Sequence, residues 1–324
     1  MAGFLVRRSL HGAVLVALAA SLTYLLAASA LRPRAHFEQR NPRPPAAVVD
    51  AELTALNLND RTPLLRRYAV WAGGVLRGDF GRTLAGEPVA PELWRRALVS
   101  LRLLAVGTVL GAVLGVLAGA YAAARRHRPA DRLITVGSFA VLSTPVFVLA
   151  VLLQLGAERI NQITGVRIFE WAGEYTPGAA EGALGRLRHL VLPTLTVVLV
   201  QAAVFGRYQR HLMLDVLDAD FVRTAMARGL TRRQALVRHG LRTALVPTAT
   251  YFAYTFGFVL LGAMFTEKIF GWHGMGEWLI DSVHRGDVNA VAAVALLAAV
   301  LVLLAGAAAD IAHAILDPRV RAGR

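Results

Sequence analysis

Long apolar runs alternate along this chain with shorter polar segments. About twenty apolar residues cross the hydrocarbon core of a bilayer as a helix, and six runs approach or exceed that length. The pattern predicts an all-α membrane protein with six transmembrane helices and a sizeable polar region after the first helix. The predicted spans are 10–31, 97–124, 133–155, 189–205, 244–265 and 288–311.

The first span has a second interpretation as a cleaved signal peptide. Arg7 and Arg8 resemble its positive start, and the segment Ala28-Ser29-Ala30 resembles a cleavage site. The apolar run is longer than the core of a usual signal peptide. We therefore favour an anchor that is retained in the mature protein.

Composition and charge limit the classes of protein and of partner that fit this chain. Hydrophobic residues make up 56% of the chain, the formal net charge is +14, and there is no cysteine. With six spans, the arginine-rich segments all fall on one side, which the positive-inside rule places in the cytoplasm together with both termini. The positive charge therefore predicts cytoplasmic loops and no nucleic-acid partner, and the lack of cysteine excludes thiolate chemistry.

A cationic segment at 220–247 separates the fourth apolar run from the fifth. Thr231 with Gln234 forms a capping-box pattern at the start of a helix, and Gly229 lies where a preceding helix would end. The segment predicts two short helices that meet at a bend at one membrane face. Such a shape suits docking into another protein.

The same segment resembles a known family. It reads DFVRTAMARGL and then, a few residues on, RHGLRTALVP, which is similar to the cytoplasmic coupling loop of ABC importer permeases of the dipeptide/oligopeptide B type. The general importer pattern is Glu-Ala-Ala, three residues, Gly, nine residues, Ile-x-Leu-Pro. Gly229 fits it, whereas 223–225 and 239–242 depart from it in the manner of the peptide subfamily.

The resemblance implies a type I ABC importer permease fold and a set of partners. It implies residues 1–96 as the first helix with an extracytoplasmic segment, 97–316 as the permease core with its coupling loop at about 215–245, and 317–324 as a cytoplasmic tail. The implied partners are a homologous C-type permease subunit, two ABC ATPase subunits that bind ATP and Mg, an extracytoplasmic solute-binding protein, a peptide and membrane lipid. The implied location is the bacterial inner membrane. The implied ATPase-coupling residues are Asp220, Arg223, Thr224, Ala225, Gly229, Thr231, Arg238, His239 and Arg242.

Two outer segments also resemble the family. They are 63–81, which contains Trp71 and Phe80, and 266–276, which contains Trp272 and His273. Aromatic residues beside glycine turns suit an external gate or a contact with the binding protein. They suit equally an anchor at the membrane interface.

Small and polar residues inside the spans have structural interpretations. Gly107, Gly111, Gly115 and Gly119 recur every four residues and predict close helix packing along one face. Pro145 predicts a kink in the third span, where neighbouring hydroxyls can satisfy freed carbonyls.

Gln154 and Gln201 are the candidate residues of a translocation path. Either residue can instead join two helices by hydrogen bonds. Asp310, near the inner end of the last span, suits contact with headgroups better than a proton relay.

The sequence predicts no catalytic site, no metal site and no cofactor bound by this chain. Lys268 is its only lysine and follows Glu267, so a Gly-Lys-Ser/Thr phosphate loop is excluded. A secondary transporter driven by an ion gradient is the alternative function. That class needs carboxylates near the middle of the bilayer, and the spans contain almost none.

The topology can be tested by single-cysteine labelling, because the chain has no cysteine of its own. With both termini inside, a cysteine at Glu174 reacts with an impermeant maleimide added to intact cells. A cysteine at Thr231 reacts only after permeabilisation. External labelling at Thr231, or protection at Glu174, contradicts six spans in this orientation.

Overall fold

The computed structural model describes residues 2–38, 41–175, 183–217, 219–262 and 264–316, and this part of the chain is dominated by helices. The chain folds into two compact units, unit 1 within 1–100 and 273–304, and unit 2 within 101–272 and 305–324. The tail at 317–324 lies outside the described residues.

The helices are α1 (Ala2–Ala30), α2 (Pro33–Glu38), α3 (Ala46–Ala55), α4 (Leu64–Val75), α5 (Val89–Ala124), α6 (Pro129–Ser143), α7 (Val146–Thr164), α8 (Ala183–Leu217), α9 (Asp220–Ala227), α10 (Arg232–Ala235), a π-helical segment (Leu236–Gly240), α11 (Leu241–Gly262), α12 (Met264–Phe270), α13 (Met275–Arg285) and α14 (Val288–Leu316).

Five helices in the described part are long and apolar enough to cross a membrane. They are Leu10–Ala30, Val89–Ala124, Val146–Thr164, Gly185–Leu217 and Val288–Ile311. The fifth predicted span lies on α11, which has 22 residues but is not one of the five. The count of six spans therefore stays a prediction.

The third predicted span, 133–155, is wrong as a single kinked helix. The chain leaves the helical conformation at Thr144, which has φ −90° and ψ 123°, and α7 begins after Pro145. Proline disfavours the helical conformation for the residue before it, so the helix ends instead of bending. The Thr144 hydroxyl donates to the Ala140 carbonyl at 2.8 Å, as the sequence predicted for a hydroxyl at this point.

An aromatic cluster joins α1 to α4 in unit 1. The Tyr24 ring stacks on the Trp71 ring with 4.6 Å between centroids, and the hydroxyls of Ser21 and Tyr68 lie 2.7 Å apart. Tyr24 is fully buried. Cleavage after Ala30 would remove Tyr24 from this core; the retained anchor stays a prediction.

The polar region after α1 is fastened to the start of α14. The Asp287 carboxylate accepts hydrogen bonds from the Leu84 backbone N–H at 2.9 Å and from the Ala290 N–H at 3.2 Å. The Asn289 amide donates to the carbonyls of Leu56 and Arg82. Burial raises the pKa of Asp287. These bonds give the region a defined position in unit 1.

The glycine stripe of α5 lies against the backbone of α8 in unit 2. A Cβ added at Gly111 would lie 2.6 Å from the Gln201 Cβ, and one added at Gly119 would lie 2.2 Å from the Gly206 carbonyl oxygen. Real Cβ atoms do not approach so closely, so the two helices can pack in this way only through glycine. The predicted close packing is confirmed.

A partly buried ion pair joins the start of α6 to α8. The Arg210 guanidinium donates two hydrogen bonds to the Asp131 carboxylate, at 2.7 and 3.0 Å, and the His127 backbone N–H donates a third at 3.0 Å. The bonds from Arg210 lower the pKa of Asp131 to about 2. The Asp131 carboxylate is therefore ionised at neutral pH, and the ion pair persists there. Its contribution to stability is lost only as the pH falls from about 4, the ordinary pKa of an aspartate, to about 2, the pKa of Asp131 in the folded protein.

Gly111→Ala tests the α5–α8 packing. We expect it to lower the free energy of unfolding by about 1–3 kcal/mol, as overpacking does, because the new methyl group meets Gln201 and the Val198 carbonyl. The measurement is Tm of the purified subunit in detergent.

Gly156→Ala is the matched control, since nothing lies within 4 Å of a Cβ at that position on α7. Alanine is favoured over glycine in a helix interior by about 1 kcal/mol, so Tm should stay the same or rise. An equal loss of Tm in both variants contradicts the close-packing account.

Candidate functional site

The first half of the cationic segment is α9, which ends in a glycine cap. The Leu230 N–H donates to the Ala225 carbonyl at 3.3 Å, and the Gly229 N–H donates to the Met226 carbonyl at 2.9 Å. This pair of bonds defines a Schellman motif, which requires a left-handed residue after the helix. Gly229 has φ +91° and supplies it, as the sequence predicted.

The second half begins with the predicted capping box. The Thr231 backbone N–H donates to the Gln234 side-chain oxygen at 3.0 Å, and the Gln234 N–H donates to the Thr231 hydroxyl at 3.3 Å. One turn of α10 leads into the π-helical segment Leu236–Gly240. Single π turns inside helices occur often at functional sites.

The inner face of the bend is a small apolar core attached to the end of α8. Its members are Leu217, Val222, Ala225, Ala235 and Leu236, with Leu214, Val216, Met226 and Leu230 packed around them. Three of these side chains belong to the last turn of α8. The bend is therefore held by packing on the end of a membrane helix and is not a free loop.

The outer face of the bend is cationic and open. A groove of about 520 Å³ lies on it, lined by Leu230, Thr231, Arg233, Gln234, Val237 and Arg238. Val237 is 60% exposed, so apolar surface stands beside the guanidinium groups. We call this groove and the exposed residues of α9 the coupling surface.

The predicted coupling residues fall on both faces. Ala225 is buried in the inner core, whereas Asp220, Arg223, Thr224, Gly229, Thr231, Arg238, His239 and Arg242 are exposed. Arg223 and Asp220 lie 3.9 Å apart and are largely solvated, so this pair adds little to stability. Both charges are available to a partner.

Arg242 lies at a second feature of unit 2. A cavity of about 950 Å³ opens between α5, α8 and α11, and Arg242 and Thr248 are the polar residues of a lining made otherwise of apolar side chains, Phe205 and Phe252 among them. Neither Gln154 nor Gln201 lines this cavity.

The two candidate path residues have different surroundings. The Gln154 amide donates to the Ile269 carbonyl at 3.0 Å and so joins α7 to α12, which favours the structural interpretation for this residue. Gln201 is buried beside Gly111, and within the described residues its amide nitrogen has no hydrogen-bond partner. The path role of Gln201 stays a prediction.

The four candidate external residues are not equally accessible. Trp71 and Trp272 are 6% and 3% exposed, so neither ring is presented to a partner in this conformation. Phe80 is half-buried against the core around Val89 and Trp278. His273 is exposed, and its Nδ1 lies 2.9 Å from a Glu277 carboxylate oxygen. A contact role is therefore better suited to Phe80 and His273.

Comparison with known proteins gives a consistent result. The family model described as "binding-protein-dependent transport system inner membrane component" matches residues 115–322. The oligopeptide transport system permease protein OppB of Mycobacterium tuberculosis is 54% identical over 325 residues, which cover 99% of each chain. The oligopeptide permease AppB of Bacillus subtilis is 33% identical over 81% of this chain and 82% of its own. The glutathione permease GsiC of Escherichia coli K12 is 31% identical over 86% of each.

This chain belongs to the inner membrane components of binding-protein-dependent transport systems. It is a multi-pass inner membrane protein, and its resemblance to the B-type peptide permeases is confirmed. The predicted all-α class and type I permease fold are confirmed as well.

Sequence reasoning missed the pairing of Asp131 with Arg210, although both residues lie close to the predicted ends of spans. Asp131 is the one acidic residue in the stretch 125–132, which contains four arginines. An isolated carboxylate among arginines could have indicated an ion pair, but not with a residue 79 positions away.

The bend can be tested at Gly229 with a graded series. Nothing lies within 4 Å of a Cβ there, so the constraint is the backbone angle and not space. A β-branched residue strongly resists positive φ, while asparagine tolerates it. We expect Gly229→Val to weaken co-purification of the ATPase and Gly229→Asn to preserve it.

Insertion is checked in the same samples by the yield of monodisperse subunit. Equal co-purification of the ATPase with the Val and Asn variants would refute the requirement for this conformation. If the Val variant yields no protein, Gly229→Ala, which strains the backbone less, replaces it in the comparison.

Proposed function

We propose that this chain is the permease subunit of an ATP-driven importer of peptides. The observation that carries the proposal is the coupling surface: a capped, cationic bend whose inner face is packed on the end of a membrane helix. A secondary transporter, the alternative function, has no ATPase partner that would bind such a surface.

The coupling surface suits a protein cleft with acidic acceptors. Arg223, Arg233 and Arg238 are exposed, and buried guanidinium groups need paired acceptors. Val237 and Phe221, 60% and 44% exposed, add apolar area that a cleft can cover. The ATPase partner contacts this surface, and the interface between the two proteins combines buried apolar side chains with ion pairs.

The inner face provides the mechanical connection. Because the apolar core around Val222 and Leu236 includes the last turn of α8, a push on the bend is delivered to α8. Two partner subunits hold ATP and Mg²⁺. Their binding and hydrolysis of ATP move the bend and change the side of the membrane to which the translocation path is open. This chain itself binds no nucleotide and performs no chemistry.

The relatives support a peptide as the substrate. Two of them are named as oligopeptide permeases and a third as a glutathione permease, and glutathione is itself a small peptide. The path forms together with a homologous C-type permease subunit. A solute-binding protein delivers the peptide on the outer side, and both termini of this chain are cytoplasmic.

Transport in rebuilt vesicles tests the proposal. The subunit is combined with its neighbouring permease, ATPases and binding protein, and uptake of labelled dipeptides and longer peptides is measured, with glutathione, Ni²⁺ and a sugar alongside. We expect peptide uptake that needs ATP and the binding protein and that survives ionophores.

Uptake driven by an ion gradient without ATP contradicts the importer and favours the secondary transporter. ATP-dependent uptake of the sugar or Ni²⁺ alone is consistent with an ATP-driven importer but refutes peptides as its substrate.

A further inference from the structure

A second polar pocket lies in unit 2, and it shares no lining residue with the coupling surface or with the apolar cavity. It has a volume of about 470 Å³ between α6, α8 and α11 and is lined by Thr135, Phe139, Leu142, Val204, Arg207, Tyr208, Arg210, His211 and Tyr251. The proposed import function gives this pocket no role.

One positive charge in the pocket is not compensated. Arg210 is held by Asp131 through two hydrogen bonds, and His211 lies 3.9 Å from Asp215. The Arg207 guanidinium lies over the Phe139 ring, 4.1 Å from its centroid, and no carboxylate of the described residues pairs with it. Arg207 is exposed and ready to bind an anion.

Two tyrosines line the same pocket as this charge and bring two hydroxyl groups. The rings of Tyr208 and Tyr251 lie 4.7 Å apart at an interplanar angle of 30°. Within the described part of the chain, neither hydroxyl has a hydrogen-bond partner. A guanidinium with phenolic donors is a suitable site for a phosphate group, because charge-assisted hydrogen bonds are the strong ones.

The surroundings of the pocket are those of a membrane surface. Phe139, 48% exposed, and Leu142 form an apolar side of the pocket, and both lie inside the third predicted span, 133–155. Arg207 stands just beyond the fourth predicted span, 189–205. A cation and tyrosines next to an exposed apolar side chain at the end of a span match the level of lipid headgroups.

We propose that this pocket binds the headgroup phosphate of an anionic phospholipid, with an acyl chain against Phe139 and Leu142. Arg207 pairs with the phosphate, and the tyrosine hydroxyls donate to its remaining oxygens. The exposed apolar surface beside the site favours a lipid over a soluble anion. An acyl chain can cover this surface, whereas a soluble anion has no apolar group to place on it.

Native mass spectrometry of the purified transporter tests the proposal. Retention of phosphatidylglycerol is compared with that of phosphatidylcholine carrying the same acyl chains. We expect preferential retention of phosphatidylglycerol by the unaltered protein. Arg207→Gln should weaken it about tenfold or more, the value of a hydrogen bond to a charged group. Arg207→Lys should retain part of the preference, and Tyr251→Phe should lose less than Arg207→Gln.

Arg126→Gln is the matched control, because Arg126 is an exposed arginine of the preceding loop and does not line the pocket. It should leave retention unchanged. Equal losses in Arg207→Gln and Arg126→Gln, or no preference for the anionic lipid, would overturn the proposal, since net charge alone would then account for binding.

Two soluble competitors identify the occupant. Neither inorganic phosphate nor a peptide with a free carboxylate should displace phosphatidylglycerol at equal concentration. Displacement by phosphate would assign the pocket to a soluble anion, and displacement by the peptide would assign it to the substrate; both outcomes contradict a lipid site. The result is independent of the transport assay, because lipid retention is measured without ATP or substrate.

Discussion

The close approach of α5 and α8 is the constraint on which the organisation of unit 2 depends. Gly107, Gly111, Gly115 and Gly119 let the two backbones meet where any side chain would collide. In a bilayer, helices gain no hydrophobic energy from meeting each other, so close packing has to hold them together. The glycine stripe thereby fixes α8, and α8 carries the other features of interest: Gln201, Arg207, Arg210 and, packed on its last turn, the apolar inner face of the bend.

This arrangement connects the bend to two membrane helices. The bend is attached to α8 by apolar packing, and α8 is attached to α6 by the partly buried pair of Asp131 and Arg210. Removing Arg210 would leave the buried Asp131 carboxylate without its charged partner, and the low pKa of Asp131 keeps it ionised at neutral pH. A displacement of the bend is therefore shared between two membrane helices instead of being absorbed at the end of one.

Local patterns in the sequence predicted local structure well. The capping box at Thr231, the left-handed Gly229 and the packing role of the glycine stripe all depend on neighbours in sequence or on helical spacing, and all three are confirmed. The sequence did not predict that Trp71 would be buried, because its partner Tyr24 is on another helix. The bond from Gln154 to Ile269 and the ion pair of Asp131 likewise join residues far apart in sequence. At Pro145 the sequence located the disturbance, but a proline is compatible with either a kinked or an interrupted helix, and the structure has an interruption at Thr144.

The central claim is that the capped cationic bend is the surface that an ATPase contacts. Hydrogen exchange of backbone amides in the rebuilt complex measures this directly, because it reports protection residue by residue. The account predicts that adding the ATPase slows exchange across 229–238 and leaves exchange unchanged across 165–175, a segment predicted to lie on the opposite side of the membrane. Unchanged exchange across 229–238 in a complex that contains the bound ATPase would contradict the claim.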